Sequence, residues 1–302
     1  MRKLFLPFIS IALFAAVVLG FALFFAGNQV AVLSPEGSIA ASQRELMVVT
    51  LLLMLIVVIP VFVMTFAFAW HYREGNSRAV YTPNWDHDRR LEAIWWGVPL
   101  AIIAVLGGII WTSSHDLDPY RPIASDTEAL EVQVVALQWK WLFIYPDYNI
   151  ATVNYLHIPE KTPINLTLTA DAPMNSFWIP QLGGQVYAMA GMSTQLHLIA
   201  DKTGTYNGSS ANLSGEGFAG MTFKAQSSGA EDFNGWVKAM QRSPDTLDSA
   251  RYAELAKPSH DNRMLFFTAQ QADLYDTILA KYMGHTHASE NTYEGKHESG
   301  HN

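Results

Sequence analysis

Three stretches of the chain are apolar without a single charge: residues 4–26, 47–70 and 94–112. Each approaches or exceeds the roughly 20 residues that cross a bilayer as a helix. The first follows Met1-Arg-Lys3 and reads either as a secretory signal or as an uncleaved membrane helix. The second contains Pro60, which bends a membrane helix where neighbours satisfy the freed carbonyl. The third has Pro99 in its first turns, opens on Trp95 and Trp96 and closes on Trp111, the aromatic anchors of a water–lipid boundary. The connection over 71–92 carries Arg73, Arg78, Arg89 and Arg90, which places it on the cytoplasmic side. Everything after Ser113 then lies on the opposite, periplasmic face.

The pattern changes from residue 130 onward. Short runs rich in β-branched and aromatic residues predict strands over 130–137, 139–145, 151–158, 163–169, 194–200 and 221–225. Alternation is plain in Ile164-Asn-Leu-Thr-Leu-Thr169, and strands at this spacing predict a sandwich. Past Ser227 the period becomes helical, over 230–241, 247–256 and 272–283. Five segments result. Residues 1–26 are a signal peptide or extra membrane helix, 27–112 a two-helix transmembrane hairpin and 113–228 a β domain. Residues 229–283 are a helical extension packed on the sandwich or on a neighbouring subunit. Residues 284–302 are a disordered polar tail holding His285, His287, His297 and His301.

Composition narrows the chemistry. There is no cysteine among the 302 residues, which removes disulfides, thiolate metal sites, cysteine nucleophiles and a lipoprotein anchor. The net charge is −8, and from Ser113 onward 21 acidic residues face 12 basic ones, so no nucleic-acid partner is expected. No G-x-S-x-G elbow, phosphate loop, dinucleotide fingerprint or zinc motif is present. Trp139 and Trp141 read as core aromatics, Met189 and Met192 as core fillers, and His157 and His197 as strand histidines without convergent partners.

Ser210-Ala-Asn-Leu-Ser-Gly-Glu-Gly-Phe-Ala-Gly-Met221 and Met174-Asn-Ser-Phe-Trp-Ile-Pro180 carry the most specific signal. Their spacing resembles the metal loop and the earlier histidine-ligand position of the cupredoxin domain in subunit II of respiratory haem–copper oxidases. The resemblance runs from about Ser34 to about Lys281. In copper-binding members two Cys four apart, a Glu carbonyl between them, a His, a Met and an earlier His hold a binuclear centre. The matching positions here are Ser210 and Ser214 for the cysteines, Asn212 for the Glu, Phe218 and Asn175 for the histidines, and Met221, which alone is kept. A serine hydroxyl does not ionise near neutrality and a phenyl ring has no lone pair, so the set lacks the thiolates and imidazoles such copper needs.

The pattern is similar to the quinol-oxidising branch, the cytochrome bo-type ubiquinol oxidases. That resemblance implies a membrane α plus soluble all-β architecture: a transmembrane hairpin, a cupredoxin-like Greek-key β-sandwich and a C-terminal helical extension. It implies a proton-pumping complex passing electrons from ubiquinol to oxygen, in which this chain is non-catalytic and copper-free. Haems and active-site copper are expected in subunit I, the partner together with other oxidase subunits and the bilayer. The site in the bacterial inner membrane follows. In the family a Glu at the position of Glu92 marks the cytoplasmic mouth of a proton channel; from the residues alone, an ordinary interfacial acid paired with Arg89 or Arg90 is the preferred reading. Two other readings stay open: a membrane-tethered scaffold or copper chaperone, and a cytochrome c oxidase subunit II with a degenerate centre.

Overall fold

The computed structural model describes residues 19–20, 30–80, 82–83, 87–260, 262–269 and 273–283. Most of the first apolar run and the whole histidine-bearing tail lie outside the described residues. The chain divides into two units, one of residues 42–121 and one of residues 1–41 and 122–302.

Helix α1 spans Ser38–His71 and α2 spans Arg89–Asp116; both are long and apolar enough to cross a membrane. At 1.5 Å per residue they reach about 51 and 42 Å, beyond a hydrocarbon core of about 30 Å. Leu52, Phe62, Phe66, Leu100, Ile103 and Ile110 are exposed on them, as on a surface meant for lipid or other helices. α1 starts well before the apolar run at 47, because Ser38–Glu45 is polar yet made of adequate helix formers; loss of hydrophobicity does not end a helix. Near its end Arg73 stacks on Trp70 at 4.5 Å and donates to the Trp70 carbonyl at 2.9 Å.

Upstream of α1, the Pro35-Glu-Gly37 turn is tied to the β domain. Glu36 N–H donates to Gln181 O at 2.8 Å, its carbonyl accepts from Asp201 at 2.9 Å, and its carboxylate pairs with Lys202 at 2.9 Å. A Cβ at Gly37 would meet the Ile199 carbonyl oxygen at 2.3 Å, so this approach requires glycine.

The β domain is built from β1 Leu130–Leu137, β2 Lys140–Tyr145, β3 Ile150–Val153, β4 Tyr155–Pro159, β5 Pro163–Ala170, β6 Asn175–Ile179, β7 Gly183–Ala188, β8 Thr194–Ile199, β9 Gly204–Ser210 and β10 Thr222–Ser228. Helix α3, Ala230–Met240, follows, then β11 Thr246–Leu247, α4 Ser249–Leu255, β12 Leu265–Ala269 and a last helix, α5, over 274–283. One sheet runs β11-β12-β3-β2-β1-β5-β8 and the other β4-β10-β9-β6-β7. Pairs β1–β5, β4–β10 and β11–β12 are parallel and the remaining pairs antiparallel, the mixed ladder of a cupredoxin-like Greek key.

Two departures from the expected elements have local causes. The strand predicted over 151–158 is two strands in different sheets. Asn154 between them has φ 55°, a left-handed conformation that asparagine tolerates, and its side chain accepts from Trp141 N–H at 2.8 Å. Strands β6, β7 and β9 escape prediction because β9 is mostly glycine, serine and asparagine, β7 opens on two glycines, and β6 is a short run that begins with Asn175 and Ser176. In β9, Gly208 is required: a Cβ there would lie 2.0 Å from the ring of Phe223, its cross-strand partner.

The principal core lies between the sheets, with Trp141, Phe143, Tyr145, Phe177 and Phe223 at its centre. Phe177 and Phe223 stack at 5.0 Å, and Trp141 meets Phe177 edge-on at 5.2 Å. A second core covers the outer face of the larger sheet. Val135, Leu137, Leu142, Ile144 and Val153 pack there against Leu247, Leu255, Phe267, Leu274 and Ile278 of the C-terminal extension. This explains why Lys140-Trp-Leu-Phe-Ile-Tyr145 shows no alternation: both faces of β2 are buried. The extension therefore packs on the sandwich, and it contributes strands β11 and β12 besides the expected helices.

Candidate functional site

Strand β9 ends at Ser210 and β10 begins at Thr222; the loop between them carries five of the six positions singled out in sequence. Backbone bonds close it: Ser210 N–H donates to Met221 O at 3.1 Å, Met221 N–H to Phe218 O at 3.0 Å, and Phe218 N–H to Gly215 O at 3.2 Å. The sixth position, Asn175, opens β6 on the adjacent strand. The Ser210 hydroxyl donates to Asn175 Oδ1 at 3.0 Å, with Asn212 O beside it at 3.3 Å. Asn175 Nδ2 donates to Pro173 O at 2.7 Å and Asn212 Nδ2 to Met174 O at 3.0 Å. Asn175, Ser210 and Met221 are buried. Asn175, Ser210, Asn212 and Met221 are thus joined around one place. Ser214 and Phe218 lie half-buried on the same loop, and among the described residues the Ser214 hydroxyl, also buried, has no hydrogen-bond partner.

The roof of this loop is Trp139, which is half-buried and packs against the margin of the core rather than inside it. It takes φ 60°, and its indole N–H donates to Ser214 O at 3.1 Å. The ring lies so close over the loop that a Cβ at Gly217 would meet it at 2.4 Å, and His260 stacks on it at 4.6 Å. Trp141, two residues on, is in the core as expected. Met192 is exposed and Met189 half-buried, so neither fills a core.

The donor chemistry decides what the loop can hold. It presents two hydroxyls, two carboxamides, a phenyl ring and one thioether, whereas a binuclear copper centre of the cupredoxin kind needs bridging thiolates and imidazoles. The residues do not fit that group. Among the described residues no three His, Cys, Asp or Glu side chains gather in a way that could hold a metal ion.

At the other candidate position, Asp88 caps α2 and Glu92 sits in its first turn. The Glu92 carboxylate is paired with His87, Nδ1 to Oε1 at 2.5 Å, rather than with the Arg89 or Arg90 expected from sequence.

Two further polar residues, Asp171 and Lys140, were not singled out in sequence, and a third, His157, was named there without its surroundings. Asp171, at the end of β5, is buried and accepts from Lys281 Nζ at 2.6 Å, from Tyr252 OH at 2.7 Å and from Tyr282 OH. Burial opposes its ionisation, but the hydrogen bonds from Lys281, Tyr282 and Tyr252 outweigh it and hold the carboxyl below the usual range. Lys140 is buried in β2 and donates to Leu255 O and Lys257 O, both at 2.8 Å, at the carboxyl end of α4. Desolvation pushes its pKa down. His157, in β4, stands among Tyr155, Phe233 and Trp236, with Nε2 2.8 Å from Ser228 Oγ. Of the two not singled out, only Lys140 left a trace in sequence: a charge inside an otherwise apolar strand.

Comparison with known proteins agrees with this architecture. Residues 149–228 match the family model "Cytochrome C oxidase subunit II, periplasmic domain", and residues 241–286 match "COX Aromatic Rich Motif". The chain is 49% identical over 252 residues to "Cytochrome bo(3) ubiquinol oxidase subunit 2" of Pseudomonas putida, covering 83% of this chain and 80% of that one. It is 48% identical over 264 residues to the protein of the same name in Pseudomonas aeruginosa, covering 87% and 80%. It is 47% identical over 263 residues to "Ubiquinol oxidase subunit 2" of Acetobacter aceti, covering 86% and 85%. With its two membrane-length helices and subunit II domain, it is an inner-membrane protein with a periplasmic domain. The chain belongs to the subunit II family of the ubiquinol oxidases, within the wider cytochrome oxidase subunit II proteins.

Proposed function

We propose that the chain is the copper-free subunit II of a proton-pumping terminal quinol oxidase that transfers electrons from ubiquinol to oxygen and forms water. The observation that carries this is the donor set of the loop: Asn175, Ser210, Asn212, Ser214, Phe218 and Met221 offer no thiolate and no imidazole. A water-soluble electron donor needs a relay on the periplasmic domain. A lipid-soluble quinol reaches a haem from within the bilayer and needs none, so the ligands can be lost while the fold stays. In this reading haems and active-site copper belong to subunit I. This chain supplies a two-pass hairpin packed on subunit I, a periplasmic cap, and Glu92 as a proton entrance at the cytoplasmic water boundary. A carboxylate in the first turn of α2, its side chain 38% exposed, can take a proton from water and pass it inward along a water chain.

The test is oxygen uptake by the intact purified complex with ubiquinol or reduced cytochrome c as donor. Ubiquinol alone is expected to support turnover, and Glu92→Ala to slow both turnover and proton uptake. Turnover driven by cytochrome c, or a near-infrared copper band carried by this chain, overturns the assignment.

A further inference from the structure

The start of α2 sets a second titratable group on Glu92. Asp88 fixes this turn, its Oδ1 accepting from Arg90 N–H at 2.9 Å and Leu91 N–H at 3.2 Å. With the cap in place, the residue before it and the fourth residue after it meet over the first turn, where many helices put two apolar side chains as a hydrophobic staple. Here those two positions hold His87 and Glu92, 2.5 Å apart. A staple needs no ionisable group; this one pairs a carboxylate with the side-chain type that gains and loses a proton near neutral pH. Both stay in reach of water, with side chains 55% and 38% exposed. Other charged or titratable groups of this end, among the described residues, are Asp88, Arg89 and Arg90 on the same turn, His71 and Tyr72 at the end of α1, and Arg73, Glu74 and Arg78 on the connection that follows it. Asp88 is turned onto the helix N–H groups and Arg73 is engaged with Trp70.

We infer that His87 is the proton-collecting partner of Glu92, taking protons from cytoplasmic water and delivering them to that carboxylate; this rests on Glu92 being the proton entrance. The step balances without electron transfer. With Nδ1–H directed at Oε1, Nε2 takes a proton from a water-borne acid and the ring becomes imidazolium. The Nδ1–H bond breaks and an O–H bond forms on Glu92, leaving an imidazole protonated at Nε2 and a neutral carboxylic acid. Glu92 then releases its proton inward and is a carboxylate again. The ring resets by losing the Nε2 proton to water and regaining one at Nδ1 from water.

The experiment uses the intact oxidase with ubiquinol and follows oxygen uptake against pH for wild type, His87→Gln, His87→Asn and Glu92→Ala. Glutamine can still hydrogen-bond to Glu92 but cannot titrate. The His87 variants are expected to turn over like wild type at acidic pH, with the alkaline limb displaced downward by about one pH unit, and added imidazole should restore it. A purely structural staple would leave the pH profile unmoved and unresponsive to imidazole; that result in an assembled His87→Gln or His87→Asn oxidase overturns the inference. The second variant serves if the first does not assemble. Glu92→Ala separates the two readings. Unimpaired turnover and proton uptake there overturns the Glu92 entrance itself, whereas a slow Glu92→Ala beside unaltered His87 variants overturns only the role of His87.

Discussion

His157 shows how one side chain can set the acid tolerance of the β domain. Its imidazole is buried among Tyr155, Phe233 and Trp236, and desolvation pushes its pKa down to about 4, with Asp232 opposing slightly. The folded chain therefore keeps this group neutral where an unfolded chain would protonate it. Below an ordinary histidine pKa of about 6.5, the unfolded state binds a proton that the folded state refuses. Stability from this residue is complete above about pH 6.5 and is lost progressively as pH falls toward 4, by about 3 kcal/mol. His157→Gln retains a hydrogen-bonding head for Ser228 and does not titrate. Urea unfolding followed by tryptophan fluorescence at pH 7 and pH 4.5 should show a smaller acid loss in that variant; equal losses would mean that other groups govern the slope. The sequence showed the histidine but not its surroundings, because Phe233 and Trp236 lie far along the chain.

At the scale of elements, the C-terminal extension is held to the sandwich by buried polar contacts as well as by its apolar face. Asp171 gathers Tyr252 from α4 and Lys281 and Tyr282 from α5, while Lys140 of β2 binds the carbonyls that end α4. Asp248 caps α4, its Oδ1 accepting from Arg251 N–H at 2.7 Å. Removing the shared acceptor strands a lysine and two tyrosine hydroxyls. Asp171→Ala is expected to cost about 2–3 kcal/mol, less than a fully buried pair because the Lys281 side chain is largely exposed. Faster amide hydrogen exchange in α4 and α5, with the strands between the two sheets little changed, is the expected signature. Uniform exchange across the whole domain would show that the extension does not open on its own. The helices of this region were legible from their periodicity. Strands β11 and β12 were not, since a two-residue strand has no period and Leu265-Phe-Phe-Thr-Ala269 is equally compatible with a buried helical turn.

For the whole molecule, the proposed topology puts the arginine-bearing connection between the two apolar helices in the cytoplasm, opposite the periplasmic β domain. The chain has no cysteine, so single introduced thiols report topology without background. Ser77→Cys, exposed between α1 and α2, should react with a membrane-impermeant maleimide only in inverted membranes. Asp147→Cys, exposed on a turn of the sandwich, should react only from the periplasmic side. Labelling of both from one side would rule out a two-pass hairpin followed by a periplasmic domain.

What the sequence determined unaided were properties carried by residue type: which segments are apolar enough for a bilayer, which side of it the arginines prefer, and which donor atoms the loop can offer a metal. None of these depends on a partner distant in the chain. The tertiary structure alone decided the rest. It bends the chain at Asn154 to split one apparent strand between two sheets, and it seats Phe223 in the space left by Gly208. It buries a second face of β2, brings Asn175 to Ser210, and folds His87 onto Glu92. Each of these depends on which surfaces meet once the chain has closed, and burial and proximity belong to pairs of residues rather than to any one stretch of sequence.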